Sequence, residues 1–293
     1  MTDTATSAAL KPPARPMGQW IFDVLLWGGI AIVLALSFGP AEIEKFPLLF
    51  TGSDNMREFG RAFVNPDFEL LPFFISQMWL TIQMAMWGTA LAVFIAVPLG
   101  LLGARNIAPP AIQWPVRRVM DILRSVPDLV IGMVFVVAVG LGPFAGVMAL
   151  ALNTGGVLGK LFSEAVESID KGPVEGVRAT GAHKLQEIAW GVVPQVAPLW
   201  TSYALYRFES NSRAATILGL IGAGGIGQIL FDSLNSFNYS RVAAIAVVIV
   251  VAVTLIDILF QAIRPRLIHG LWGSLPLESR AHPPQLGSRT PRP

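Results

Sequence analysis

Residues 175–194, Glu175 to Pro194, read EGVRATGAHKLQEIAWGVVP and form the longest well-charged stretch between the hydrophobic blocks of the chain. Gly181 stands six residues after Glu175, and Pro194 stands thirteen after Gly181. A helix carrying Glu175, Arg178 and Ala179 is expected to stop near Gly181, because glycine accepts backbone angles that other residues resist. A second helix is expected to start near Ala182 and to bury Leu185, Ile188, Ala189 and Val192, which recur at helical spacing. Pro194 marks the entry into the next apolar block. The stretch therefore predicts a short helix, a bend and a second short helix on the polar side of a membrane protein.

Composition supports the membrane setting. Of 293 residues, 53% are hydrophobic and 14% charged, with a mean hydropathy of +0.59. A soluble domain carries about 25% charge, so most of this chain must face lipid or a buried interior. Cysteine is absent, which excludes disulfides and thiolate metal sites. His183, His269 and His282 lie far apart and make no metal pattern. The net charge of +2 is small, no nucleic-acid partner is expected, and the basic residues instead sort by loop.

Outward from the quoted stretch, the chain divides into apolar runs and polar connections. Residues 1–18 are rich in Ala, Pro, Ser and Thr and read as a disordered cytoplasmic N-terminus, and residues 19–270 as the transmembrane domain. Trp20 to Phe38 is the first span, read as uncleaved because its apolar run is long and no clear cleavage site follows. Residues 39–71 are polar and read as extracytoplasmic. Pro72 to Leu102 is 31 residues without a charge; as a helix this is about 46 Å, longer than the roughly 30 Å hydrocarbon core. It must tilt or project, and Pro98 is expected to kink it. Arg105, Arg117, Arg118 and Arg124 follow.

Leu129 to Gly159 is again free of charge for 31 residues, broken by Gly140-Leu141-Gly142-Pro143. Two spans fit here only if the first starts near Val119, taking in Asp121, Arg124 and Asp128, and the second ends near Phe162. The pairs Gly142/Gly146 and Gly155/Gly159 have the GxxxG spacing that lets helices approach closely. Residues 164–194 form the polar loop, Gln195 to Leu230 the fifth span, and Arg241 to Ile263 the sixth, with Asp257 inside it. Residues 271–293 read as a disordered tail. With the N-terminus in the cytoplasm, six spans place Arg105 to Arg124, Lys171 to Lys184 and the Arg264 tail all on the cytoplasmic side, as the positive-inside rule requires.

A second polar stretch lies within an apolar block: Ser202 to Gly227, SYALYRFESNSRAATILGLIGAGGIG. A charge at mid-bilayer costs about 2.5–3.5 kcal/mol on insertion scales, so it faces protein or a water-filled path. On a helix, Tyr203, Arg207, Ser210 and Asn211 share one face. Glu209 and Arg213 are spaced i, i+4 in the favoured order and are expected to pair, which leaves Arg207 as the less compensated cation. Two readings stay open: a buried network that fixes helix packing, or an anion path. Gly222 to Gly227 matches GxGxxG, yet the dinucleotide reading fails because the neighbours are membrane helices and not a strand and helix of a βαβ unit. Gly224 and Gly225 are instead expected to unwind a helix and offer backbone N–H groups, or to permit close packing. Gly155 to Leu161, GGVLGKL, is a near miss for a P-loop: its first glycine is one residue too close, and Leu161 stands where Ser or Thr binds magnesium. No ATP hydrolysis by this chain is expected.

The spacing of the 175–194 stretch resembles the EAA loop of ABC-importer permeases, in which Glu-Ala-Ala is followed by three residues, Gly, nine residues, a short apolar run and Pro. Here Glu175-Gly176-Val177 departs at two of its three positions; Arg178-Ala179-Thr180 fill the first gap and Gly191-Val192-Val193-Pro194 close the second. The runs RSVPD (124–128), GLGP (140–143), GKLFSE (159–164), LYRFESNSR (205–213) and GLIGAGGIG (219–227) are similar to the permease subunit of phosphonate and phosphate importers, across about Phe73 to Ile263. The resemblance implies an all-α polytopic permease with about six transmembrane helices and a cytoplasmic coupling helix, in a bacterial inner membrane. It implies that Glu175, Arg178, Ala179, Gly181, Ala182, His183 and Pro194 serve coupling to an ATPase dimer that holds ATP and Mg. It further implies a second permease copy and an extracytoplasmic phosphonate- or phosphate-binding protein. This chain itself binds no cofactor and no metal on that reading. A permease for another small solute such as an amino acid, a gradient-driven secondary transporter, and a membrane enzyme are the rival classes. The last lacks a metal or nucleophile constellation.

The orientation is directly testable, since the chain has no cysteine to remove. Asn55→Cys is expected to react with an impermeant thiol reagent added outside intact cells, and Lys184→Cys only after lysis. The reverse pattern overturns the orientation.

Overall fold

The computed structural model describes residues 17–48 and 53–272 and is helical throughout those residues, apart from short connections. It divides into two compact units, Met1–Arg61 and Ala62–Pro293. The first holds helix α1 (Met17–Ser37), a 3-10 turn (Ile43–Lys45) and most of α2 (Ser53–Val64), so the expected extracytoplasmic segment is itself partly helical. The expected disordered ends, residues 1–16 and 273–293, lie outside the described residues. Residues 271 and 272 belong to the last helix and not to the expected tail.

The second unit is built from α3 (Leu71–Gly103), α4 (Pro110–Ser125), α5 (Asp128–Val139), α6 (Pro143–Glu167), α7 (Lys171–Ala179), α8 (Val193–Leu218), α9 (Ile226–Asn235) and α10 (Tyr239–Trp272). Four helices, α1, α3, α6 and α10, are long and apolar enough to cross a membrane alone. Two bent pairs, α4 with α5 and residues 184–221 with α9, bring the number to as many as six if each counts as one span. Helix α3 continues through Pro98.

One expectation is corrected here. No single span runs from Val119 through Asp128. Val126 precedes Pro127, whose ring disfavours helical angles in the residue before it, and Val126 is extended. The chain turns by 91° between α4 and α5, so Asp121 and Arg124 belong to a separate amphipathic helix. Asn153 on α6 donates to the Val126 carbonyl at 2.9 Å and holds the corner. The loop expected from residue 164 also starts later, because α6 runs on to Glu167.

Three apolar clusters lie one after another along α3. Phe74 and Met78 pack with Ile226, Ala244 and Ile245. Met84 and Ala85 meet Leu150, Ala215 and Leu218. Ala92 and Ala96 meet Leu158, Phe162, Val196 and Trp200, where the Phe162 and Trp200 rings stack at 4.5 Å. Helices α3 and α6 approach closely because glycines face large side chains. A Cβ on Gly88 would stand 2.7 Å from Leu150 Cβ, and one on Gly100 2.6 Å from Phe162 Cβ. Such small-residue contacts replace the hydrophobic drive that lipid cannot supply.

Helix α8 ends in a 3-10 turn at Gly219–Ile221, and the chain re-enters a helix at Ile226. Gly222, Gly224 and Gly225 all have positive φ, which favours glycine. Gly227 then packs against the end of α8, where a Cβ would stand 1.8 Å from the Thr216 carbonyl oxygen. Gly227→Ala is accordingly expected to destabilise the protein by about 3 kcal/mol, the upper range for overpacking. Gly176→Ala meets nothing within 4 Å on exposed α7 and is expected to be neutral or slightly stabilising. Thermal unfolding in detergent separates them; equal midpoints refute the packing argument.

Candidate functional site

Two sites emerge, one leading into the start of α8 and one along its middle. The first is the segment between α6 and α8. Asp170 caps α7 by accepting from Gly172 N–H at 3.0 Å. Helix α7 stops at Ala179, and Gly181 follows with φ +82°. His183 opens the next turn, its N–H donating to Gln186 Oε1 at 2.9 Å. Lys184–Gln186 is one helical turn, and Glu187–Val192 is a π-helical stretch that runs directly into α8. Pro194 lies in the first turn of α8, directly after the π-helical stretch, where its ring fixes φ at a helical value.

Ionic and amide contacts tie the two short helices together. Arg178 grips Glu187 with two hydrogen bonds, Nε at 3.0 Å and Nη2 at 2.9 Å, and Lys184 adds a third at 3.4 Å. The Glu187 side chain is only 8% exposed. Hydrogen bonding from Arg178 is the main cause that holds its carboxyl below the usual range, against the opposing effect of desolvation. Gln195 clamps the base: it accepts from Asp170 N–H at 3.1 Å and donates to the Gly191 carbonyl at 2.6 Å.

The apolar face expected here is corrected in part. Val192 is buried as expected and Ile188 is half-buried, but Leu185 is 80% exposed, Ala189 is exposed, and Glu187 and Gly191 turn inward instead; Trp190 is 74% exposed. A π-helix advances by more residues per turn than the 3.6 assumed, so the inward register shifts. A Cβ on Gly191 would stand 3.0 Å from Val174 Cα. Glu175 is exposed in mid-helix, and Asp170 is the N-cap of α7.

The second site is a polar chain inside the helix bundle. Arg207 Nη2 donates to Thr154 Oγ1 at 3.3 Å. Thr154 donates to Asn211 Oδ1 at 2.9 Å, Asn211 Nδ2 donates to Thr89 Oγ1 at 2.9 Å, and Thr89 donates to the Ala85 carbonyl at 2.7 Å. This chain joins α8, α6 and α3. Arg207 Nε and Asp128 Oδ1 are buried without hydrogen-bond partners, and the two charges act on each other across the site. Tyr203 and Ser210 are half-buried on the same helix.

Residues 96–269 match the family described as binding-protein-dependent transport system inner membrane component. The phosphite transport system permease protein PtxC of Stutzerimonas stutzeri is 42% identical over 217 residues, covering 74% of this chain and 79% of that protein. The putative phosphite transport system permease protein HtxC of the same organism is 35% identical over 233 residues, covering 79% and 82%. Among solved structures, the inward-facing MetNI methionine ABC transporter aligns with a TM-score of 0.59 at 22% identity, over 69% of this chain and 99% of that one, a likeness of fold.

The chain belongs to the binding-protein-dependent inner-membrane transport family. It is the membrane-spanning permease subunit of an ABC importer, a transporter component.

Within this permease the residues singled out from sequence separate into two groups. Arg207, Tyr203 and Ser210 are set on one helical face with side-chain groups not spent on the chain's own hydrogen bonds. Asn211 is not; it is 1% exposed, and both ends of its amide are engaged. Arg213 reaches Glu209 at 3.2 Å, and it also reaches both oxygens of Asp257 at 3.1 and 3.2 Å. Its partner is therefore mainly on α10, a contact no helical spacing could reveal. Gly224 and Gly225 pack within the chain, the former toward Pro143 and the latter against Thr81, which takes the Ile226 N–H at 2.9 Å. The near-miss P-loop, Gly155 to Leu161, is helix interior in α6. Thr89 and Thr154 escaped notice, and Asp128 was read only as a charge within an expected span; their signal was a polar residue within or at the end of an otherwise apolar run.

Asn211→Ala is expected to lower stability by about 1–3 kcal/mol, since Thr89 and Thr154 lose a buried partner. Ser210→Ala, which breaks no hydrogen bond within the described residues, is expected to melt like wild type. Identical melting of the two variants refutes the structural role of Asn211.

Proposed function

We propose that the permease conducts phosphorus oxyanions, phosphonate, phosphite or phosphate, through a cavity formed with a second copy of itself. The phosphite permeases it resembles support the class, and Arg207 is the observation that carries it. It is a cation within a membrane helix, tethered by one 3.3 Å contact, with its Nε unpaired. Its planar donors suit two oxygens of one anion, and it stays charged at physiological pH. Tyr203 and Ser210 add neutral donors on either side. A single tethered arginine binds weakly enough to release, which transport requires.

Coupling belongs to the 168–192 segment, on the cytoplasmic side in this reading, with both chain termini. An ATPase dimer holds ATP and Mg. It would receive the exposed Leu185 and Glu175, while an extracytoplasmic binding protein delivers substrate at the opposite end. Because the π-helical stretch is continuous with α8, a push on the segment moves the helix that carries Arg207.

Two variants test this reading. Arg207→Gln is expected to assemble normally, keep basal ATPase activity and lose uptake by about tenfold or more, the value of a charge-assisted hydrogen bond. Equal uptake per assembled complex sinks the pathway role. Gly181→Val forces a β-branched side chain into φ +82°, at a local cost of about 1–2 kcal/mol. It is expected to leave insertion intact and uncouple hydrolysis from uptake; normal transport reduces the segment to a connector.

A further inference from the structure

Helix α4 has features that the transport path does not use. It stands at 91° to α5, at the end of the bundle where Arg105 and Arg117 meet Glu167 at the close of α6. It exposes Ile112, Trp114, Val119 and Ile122 beside its basic residues. Met120 pins it to α6, buried against Gly156 and Gly159. An amphipathic helix of this composition, bent by 91° from the apolar helix that follows it, suits the plane of the bilayer interface.

A groove of about 480 Å³ opens along it, lined in part by Arg105, Trp114, Arg117, Arg118, Asp121 and Lys160. Its charge does not balance. Arg118 at 3.6 Å, Arg124 at 3.1 Å and Lys160 at 4.0 Å all share the single carboxylate of Asp121. Lys160, whose side chain is 20% exposed, has no closer acidic partner among the described residues. Arg105 and Arg117 likewise share Glu167. Five cations thus meet two acids. The Arg118 guanidinium also sits over the Trp114 ring at 5.4 Å, fixing it at the rim.

We propose that this groove binds the phosphate of an anionic phospholipid headgroup, with the acyl chains against the apolar side of α4. A free phosphate ion shares the headgroup's chemistry. The lipid is favoured because the cationic groove borders exposed Ile112, Trp114 and Ile122, which offer a free ion nothing. Polybasic segments at a membrane surface attract anionic lipid in this way. The site lies at the coupling end, so the lipid belongs to the leaflet on the ATPase side; that leaflet assignment alone rests on the orientation proposed above.

The test uses the full chain in bilayer discs of phosphatidylethanolamine with a minor fraction of phosphatidylglycerol, followed by native mass spectrometry. Wild type is expected to retain phosphatidylglycerol preferentially. Arg118→Ala/Lys160→Ala is expected to retain it about fivefold more weakly per cation removed, and Arg61→Ala, outside the groove, as wild type does. Arg118→Ala alone, on an exposed side chain, gives the same reading with less risk to folding. Equal retention by wild type and the groove variants overturns the proposal. Displacement of the lipid by inorganic phosphate also overturns it, in favour of a free-ion site. Neither readout involves uptake or ATP, so loss of the transport role of Arg207 leaves this result standing.

Discussion

A polar group in hydrocarbon has no water to satisfy it, and leaving it unpaired costs several kcal/mol. The hydrogen-bond chain from Arg207 through Thr154, Asn211 and Thr89 to the Ala85 carbonyl is this permease's answer at the centre of its bundle. Each member must point at the next, so the rotation of α8, α6 and α3 about their axes is set together. The apolar clusters on these helices would tolerate several rotations, because one aliphatic contact is much like another. The polar chain tolerates one. Its end at Arg207 leaves a buried Nε without a partner, and the site arises as the remainder of a structural network.

That chain depends on close backbones. Hydrogen bonds of 2.9 Å between threonine and asparagine side chains on different helices require helices nearer than Leu-on-Leu packing permits. Gly88 and Gly100 provide the approach between α3 and α6. The glycine turn after α8 closes the far end, with Thr81 taking the Ile226 N–H. The second arginine of the bundle follows the same rule: Arg213 is neutralised by Glu209 and Asp257 and so locks α8 to α10. Two arginines six residues apart thus have opposite fates, because one meets two acids at contact distance and the other meets none.

The coupling segment is stiff for a different reason. It lies outside the apolar bundle, so its rigidity comes from the Arg178–Glu187 fork and the Gln195 clamp on Asp170. Charge-assisted, two-pronged contacts of this kind fix angle as well as distance. From Val193, where the segment enters α8, to Arg207 is about 21 Å of continuous helix. A rigid input and a continuous rod let force at one end alter the exposure of a side chain at the other.

The sequence by itself determined the class, the approximate spans, the bend at Gly181, the entry at Pro194 and Arg207 as the less compensated cation. These depend on hydropathy, helical period and the backbone freedom of glycine, all of which are local. It placed Leu185 and Ala189 on the buried face with Val192, and both are exposed, because a π-helical stretch does not follow a 3.6-residue period. It also merged α4 into a span that Pro127 breaks. Only the tertiary structure decided which polar residues pair. Asn211 shares a face with Arg207 in sequence, yet its partners Thr89 and Thr154 lie 122 and 57 residues away. Asp257, which takes Arg213, lies 44 residues away. A side chain's helical face is set by spacing. Whether that face meets a threonine, an acid or open space is set by which helices pack against it.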